Sequence, residues 1–145
     1  MSKLRQTTGE DYPEAAEKHL KDSNALMAQN RYDGAAYLAG YAVECSLKTI
    51  IQKERGTAPR LHDLKNLKKE ALKLAIVTSK KTAKYARRNI WSHSSILAYK
   101  CGGWDECIRY LPPGSISDSN AKTWLREADN IFKSVIIQMQ LNGDI

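Results

Sequence analysis

Between Asp33 and Arg55 the chain sets Gly34, Ala35, Ala36, Ala39, Gly40 and Ala42 ahead of Val43, Leu47, Ile50 and Ile51. Side chains this small let neighbouring backbones approach closely, and an apolar arc this wide needs partners on several sides. The segment therefore predicts a central helix surrounded by other helices. Upstream, Asp11 can cap a helix over about 12 to 30, with Pro13 in its first turn and Tyr12, Ala15, Ala16, His19, Ser23, Leu26 and Met27 as its less polar stripe. Downstream, Gly56 and Pro59 end the central helix, and His62 with Asp63 can open a short third one carrying Leu64, Leu67, Ala71, Leu72 and Ala75.

A fourth helix is predicted from about Ser79 to Tyr99, with Ala83, Ala86, Ile90 and Leu97 along one stripe and Gly102 and Gly103 as its stop. Residues Trp104 to Tyr110 read equally as a helical turn or an extended piece. Leu111 to Ser117, with Pro112, Pro113 and Gly114, is a loop. The last helix is the clearest, because Ala121, Trp124, Leu125, Ala128, Ile131, Phe132, Val135, Ile136 and Met139 recur at three- and four-residue spacing behind the capping candidates Ser117 and Ser119. No strand pattern or internal repeat competes. The expected fold is an all-α antiparallel helical bundle of about five helices, formed by residues 12–141, with a flexible segment 1–11 before it and a tail 142–145 after it.

At 145 residues, with 42% hydrophobic and 27% charged residues, the chain can bury one core without a metal or disulfide. The amino terminus has no apolar stretch behind its basic residues, and no segment approaches the ~20 apolar residues of a membrane span, so neither export nor membrane insertion is expected. Cys45, Cys101 and Cys107 are odd in number and lack paired CxxC spacing, which reads as reduced thiols in a cytoplasmic protein. A net charge of +7 points to a polyanionic partner, either nucleic acid or an acidic protein. Lys65, Lys68, Lys69, Lys73, Lys80, Lys81, Lys84, Arg87 and Arg88 follow one another with Glu70 as the only acid among them. Taken singly these are a solvated helix face; together they hint at a polyanion surface.

The succession Arg31-Tyr32-Asp33, Ala35-Ala36, Ala42-Val43-Glu44-Cys45-Ser46-Leu47-Lys48, then His62-Asp63-Leu64, closely resembles the HEPN domain family, whose members carry such a series on the second helix and at the opening of the third. The resemblance covers helices one to three and implies a helical bundle. Without it, Glu44 is a carboxylate in an apolar helix with Lys48 four residues on, an orientation that favours a buried structural ion pair.

RNase members of that family carry an Arg-x(4 to 6)-His motif, often with a polar residue after the arginine, and Arg88-Asn89-Ile90-Trp91-Ser92-His93 matches the four-residue form. Arg55 and His62 satisfy the six-residue form but flank a Gly and Pro loop. Cleaving RNA without a metal requires removing the 2′-hydroxyl proton, protonating the leaving 5′-oxygen and stabilising charge on phosphorus. An imidazole titrates near neutrality and a guanidinium offers fixed donors to phosphate oxygens. His93 is thus the expected acid/base, Arg88 the transition-state stabiliser and Asn89, four residues before His93, the group that orients the ring or holds phosphate. Lys84, Arg87 and Trp91 are the RNA-binding candidates, Trp91 as a stacking surface or else simply a packing residue.

One imidazole is little for both acid and base. The resemblance implies a homodimer that brings two copies of the motif together. It also implies a place in a toxin–antitoxin or phage-defence pair, with an antitoxin or nucleotidyltransferase as partner. The alternative is a catalytically silent module that binds nucleotide, RNA or such a partner. His62 is expected to cap or brace helix three and His19 to pack. With no acidic cluster, no Cys/His spacing and no glycine-rich phosphate loop, neither a metal site nor a cofactor is expected.

Overall fold

The computed structural model describes residues 1–78, 81–86, 91–98 and 103–145. Four helices dominate them: α1 (Tyr12–Ala28), α2 (Tyr32–Arg55), α3 (Leu64–Leu72) and α4 (Asp118–Phe132). Helix α3 continues into a π-helical stretch at Lys73–Thr78, and α4 runs on through a π segment at Lys133–Ile137 into a last α-helical turn, Gln138–Leu141. No strand occurs among the described residues.

Helix ends follow local chemistry. The Asp11 side chain accepts from the Glu14 amide to start α1 with Pro13 in its first turn, Asp63 accepts from the Lys65 and Asn66 amides to start α3, and Ser117 accepts from the Asn120 amide to start α4. Helix α2 stops at Gly56, whose φ of 84° is left-handed and whose N–H returns to the Gln52 carbonyl. Asn30, also left-handed at φ 59°, turns the chain between α1 and α2. This short connection makes the two helices antiparallel neighbours.

Helix α2 is the centre of the bundle, packed by α1, α3 and α4. Ala35, Ala36, Ala39, Ala42, Val43, Leu47, Ile50 and Ile51 are all 0% exposed, as the density of small residues predicts. A Cβ on Gly34 would approach Leu26 Cδ1 of α1 to 3.0 Å, and the buried Ser23 hydroxyl of α1 donates to the Ala35 carbonyl at 2.7 Å. Close approach therefore comes with a polar tie that leaves neither group unpaired. The first residues cross one end of the bundle, where Gln52 Nε2 donates to the Leu4 carbonyl and Lys3 Nζ to that of Gly143.

The expectation of about five helices is corrected in one place. The span from about Ser79 to Tyr99 is not a continuous helix: residues 81–85 form turns, residues 91–92 one helical step, and Ser95–Leu97 a 3-10 turn. Tertiary hydrogen bonds explain this. Glu54 of α2 accepts from both the Thr82 amide (2.7 Å) and the Thr82 hydroxyl (2.8 Å), which takes that amide out of any helical ladder. Between Trp104 and Tyr110 the ambiguity resolves as a 3-10 helix, Glu106–Tyr110, and the Pro112–Gly114 loop follows it.

Candidate functional site

The motif segment is held at three points by carboxylates from elsewhere in the chain. Glu54 grips Thr82. Tyr85, 1% exposed, donates to Asp144, and the Asn142 side chain donates to the Tyr85 hydroxyl at 2.8 Å. The Tyr85 hydrogen bond, with Lys53 and Lys84 nearby, holds the Asp144 carboxyl below its ordinary range. Glu127 of α4 accepts from the Ser95 amide and hydroxyl and from the Ile96 amide.

Within this frame His93 is exposed, with its Nδ1 3.2 Å from the Ser92 hydroxyl. Lys84 is exposed as well, its Nζ 3.5 Å from Asp144 and 5.0 Å above the Tyr85 ring. Contact with Tyr85 and Asp144 holds the Lys84 ammonium above its ordinary pKa. Arg87, Arg88 and Asn89 lie outside the described residues. Trp91 is 0% exposed, so the expectation of a base-stacking surface is corrected: its ring fills the core. Along the preceding run, Lys65, Lys69, Lys73 and Lys81 are exposed to solvent.

A second polar cluster lies on α2. Glu44 and Lys48, 3% and 4% exposed, form the expected ion pair at 2.8 Å, and His62 Nδ1 is 3.0 Å from each Glu44 carboxylate oxygen. His62 thus braces α2, while Asp63 caps α3. This separates His62 from Arg55, which pairs with Glu70. The Tyr41 ring contacts His19, Tyr37, His62 and Trp104, and burial with the Tyr37 hydroxyl contact pushes its phenol pKa up. Burial pushes the Cys45 thiol up to about 12, so it stays protonated, and Cys107 is a free, exposed thiol.

Sequence reasoning anticipated the Glu44–Lys48 pair and singled out His93; it expected His62 to cap or brace the third helix, where the contact made is with Glu44 of α2, and it missed Glu54, Glu127 and Asp144. Their partners lie 28 to 59 residues away, and no periodicity reports a contact of that kind. Among the described residues, no group of three or more His, Cys, Asp or Glu side chains is placed to hold a metal ion, and no helix is long and apolar enough to cross a membrane.

Comparison with known families gives one result: the family model of the HEPN domain matches residues 10–138, nearly the whole chain. No curated protein and no solved structure matches significantly.

Proposed function

The chain belongs to the HEPN domain family, and from that premise we propose that it is a metal-independent endoribonuclease acting through Arg88, Asn89 and His93. The observation that carries the reading is the placing of His93: its exposed imidazole sits on a segment anchored on either side of it by Glu54, Asp144 and Glu127. His62 is exposed too but faces the Glu44 carboxylate, and His19 is half-buried against Tyr41. In this reading His93 takes the proton from a ribose 2′-hydroxyl as that oxygen attacks phosphorus. A second imidazole, from a second copy of the chain, gives a proton to the departing 5′-oxygen, leaving a cyclic phosphate and a 5′-hydroxyl. Arg88 neutralises the charge developing on the phosphoryl oxygens, Asn89 orients the phosphate, and Lys84 and Arg87 contact the RNA backbone.

The same reading makes the protein a homodimer and the toxic member of a toxin–antitoxin or phage-defence pair, held in check by an antitoxin or a nucleotidyltransferase. A second reading, a module that binds RNA or nucleotide without cutting it, is favoured by the exposed lysines Lys65, Lys69, Lys73, Lys81 and Lys84.

The deciding experiment is cleavage of total RNA in EDTA by the parent and by Arg88→Ala and His93→Ala, each checked for fold and oligomeric state. Cleavage by the parent alone, with cyclic-phosphate ends, is the expected result. Equal cleavage by all three, or none by the parent, overturns the ribonuclease reading. RNA retention by a parent that does not cut would support the binding module.

A further inference from the structure

We infer that Glu127 is a positioning residue for His93, an inference that rests on the ribonuclease reading for its catalytic consequence but on geometry for the contact itself. Glu127 stands on α4, 32 residues from Ser95 in sequence, yet its two carboxylate oxygens take three hydrogen bonds there. Oε1 accepts from the Ser95 amide at 2.9 Å; Oε2 accepts from the Ser95 hydroxyl at 3.0 Å and from the Ile96 amide at 2.9 Å.

These are the amides that open the 3-10 turn Ser95–Leu97, and such leading N–H groups have no partner within their own turn. Ser94, the residue that would cap them locally, makes no side-chain capping bond. Glu127 does this work from another helix. The opposite side of the same backbone is also taken: the Ser95 carbonyl accepts from the Ala98 amide at 2.9 Å and the Ile96 carbonyl from the Trp104 amide at 3.1 Å. Both amides and both carbonyls of Ser95 and Ile96 are therefore paired, while the Ile96 side chain, 0% exposed, is locked in the core. On the other side of His93, Trp91 is equally buried and its carbonyl accepts from the Ser94 amide at 3.4 Å.

An exposed imidazole on a short surface segment would ordinarily sample many positions. Here its backbone is fixed from two directions, and Glu127 brings a full charge to these contacts. The carboxylate suits the task because it is purely an acceptor and faces three donors. A glutamine in its place would turn an NH₂ toward one of them. Displacing a proton-transfer group by about 1 Å costs on the order of 100-fold in rate while leaving substrate contacts elsewhere intact, so the effect belongs in kcat rather than in KM.

The test compares full-length parent, Glu127→Gln, Ser95→Ala and His93→Ala, on an oligoribonucleotide that the parent cleaves and by NMR of the histidine rings. Glu127→Gln is expected to lower kcat by at least about tenfold, with KM within about threefold. It should also move the His93 ring resonances, identified by their absence in His93→Ala, while those of His62 stay in place. Ser95→Ala, which removes only the hydroxyl contact, should give a smaller loss of the same kind and serves in place of Glu127→Gln if that variant does not fold. Unmoved His93 resonances with kcat near the parent's overturn the inference. Cleavage undiminished in His93→Ala, or absent in the parent, defeats the ribonuclease reading instead, and the ring resonances then decide the positioning role alone.

Discussion

The indole of Trp104 lies so close over Gly40 of α2 that a Cβ at position 40 would fall 1.9 Å from Trp104 Cε2. The ring is fixed there by Nε1, which donates to the Tyr37 carbonyl at 3.1 Å, and the Trp104 amide ties the same residue to the Ile96 carbonyl. Gly40 thus gives α2 a notch through which the segment after His93 is docked on the central helix.

Gly40→Ala is accordingly expected to destabilise the protein although alanine is the better helix former. Propensity favours alanine by about 1 kcal/mol, while an overlap this deep with a buried ring costs about 1–3 kcal/mol or more in displaced packing. Thermal unfolding should show a lower Tm, with a change in tryptophan fluorescence before unfolding. An unchanged or raised Tm would mean that Trp104 relocates without cost.

The Glu44–Lys48 pair gives a second prediction. Both groups are buried, so removing one partner strands a charge: Glu44→Gln or Lys48→Met alone should cost about 3–5 kcal/mol. Replacing both together should cost clearly less than the sum of the two, because no unpaired charge remains. Denaturant unfolding of the two single variants and the double variant measures this, and strict additivity would show that the two groups are not coupled.

Stability should also depend on pH through His19. Burial, helped by Lys18 and opposed by Asp22 and Glu44, pulls its imidazole below the ordinary value of 6.5. In the window between that lowered value and 6.5 the unfolded chain binds more protons than the folded one, so stability rises with pH there and falls as the medium is acidified. The Tm of the parent is expected to climb through this range more steeply than that of His19→Gln. Equal slopes would remove His19 as the cause.

Asp33, at the start of α2, accepts from the amides of Gly114 at 2.6 Å and Ile116 at 2.8 Å and so closes the Pro112–Gly114 loop against the helix. Asp33→Ala should cost about 1–2 kcal/mol, since these amides regain water when released. Hydrogen exchange should quicken at Gly114 and Ile116 but not along α4. Unchanged exchange at the two amides would show that the loop holds its shape without the carboxylate.

The sequence alone determined the elements whose causes are local. Asp11, Asp63 and Ser117 cap α1, α3 and α4, and Gly56 ends α2. The small residues of α2 mark it as central, and the four-residue spacing of Glu44 and Lys48 makes them a pair. Each follows from helix geometry within a few residues. The family resemblance carried on α2 and α3 was likewise legible, because its motif is nearly contiguous. Tertiary structure decided the span that contains the motif. Its apolar residues repeat at helical spacing, but Thr82 and Ser95 are held by Glu54 and Glu127, and those bonds outweigh the weak helical preference of a stretch such as Ser92-His93-Ser94-Ser95. Tertiary packing also took Trp91 into the core and left His93 in solvent. Periodicity reports which side chains can share a face; it does not report which distant carboxylate arrives to satisfy a backbone amide. That is a property of the packed chain alone.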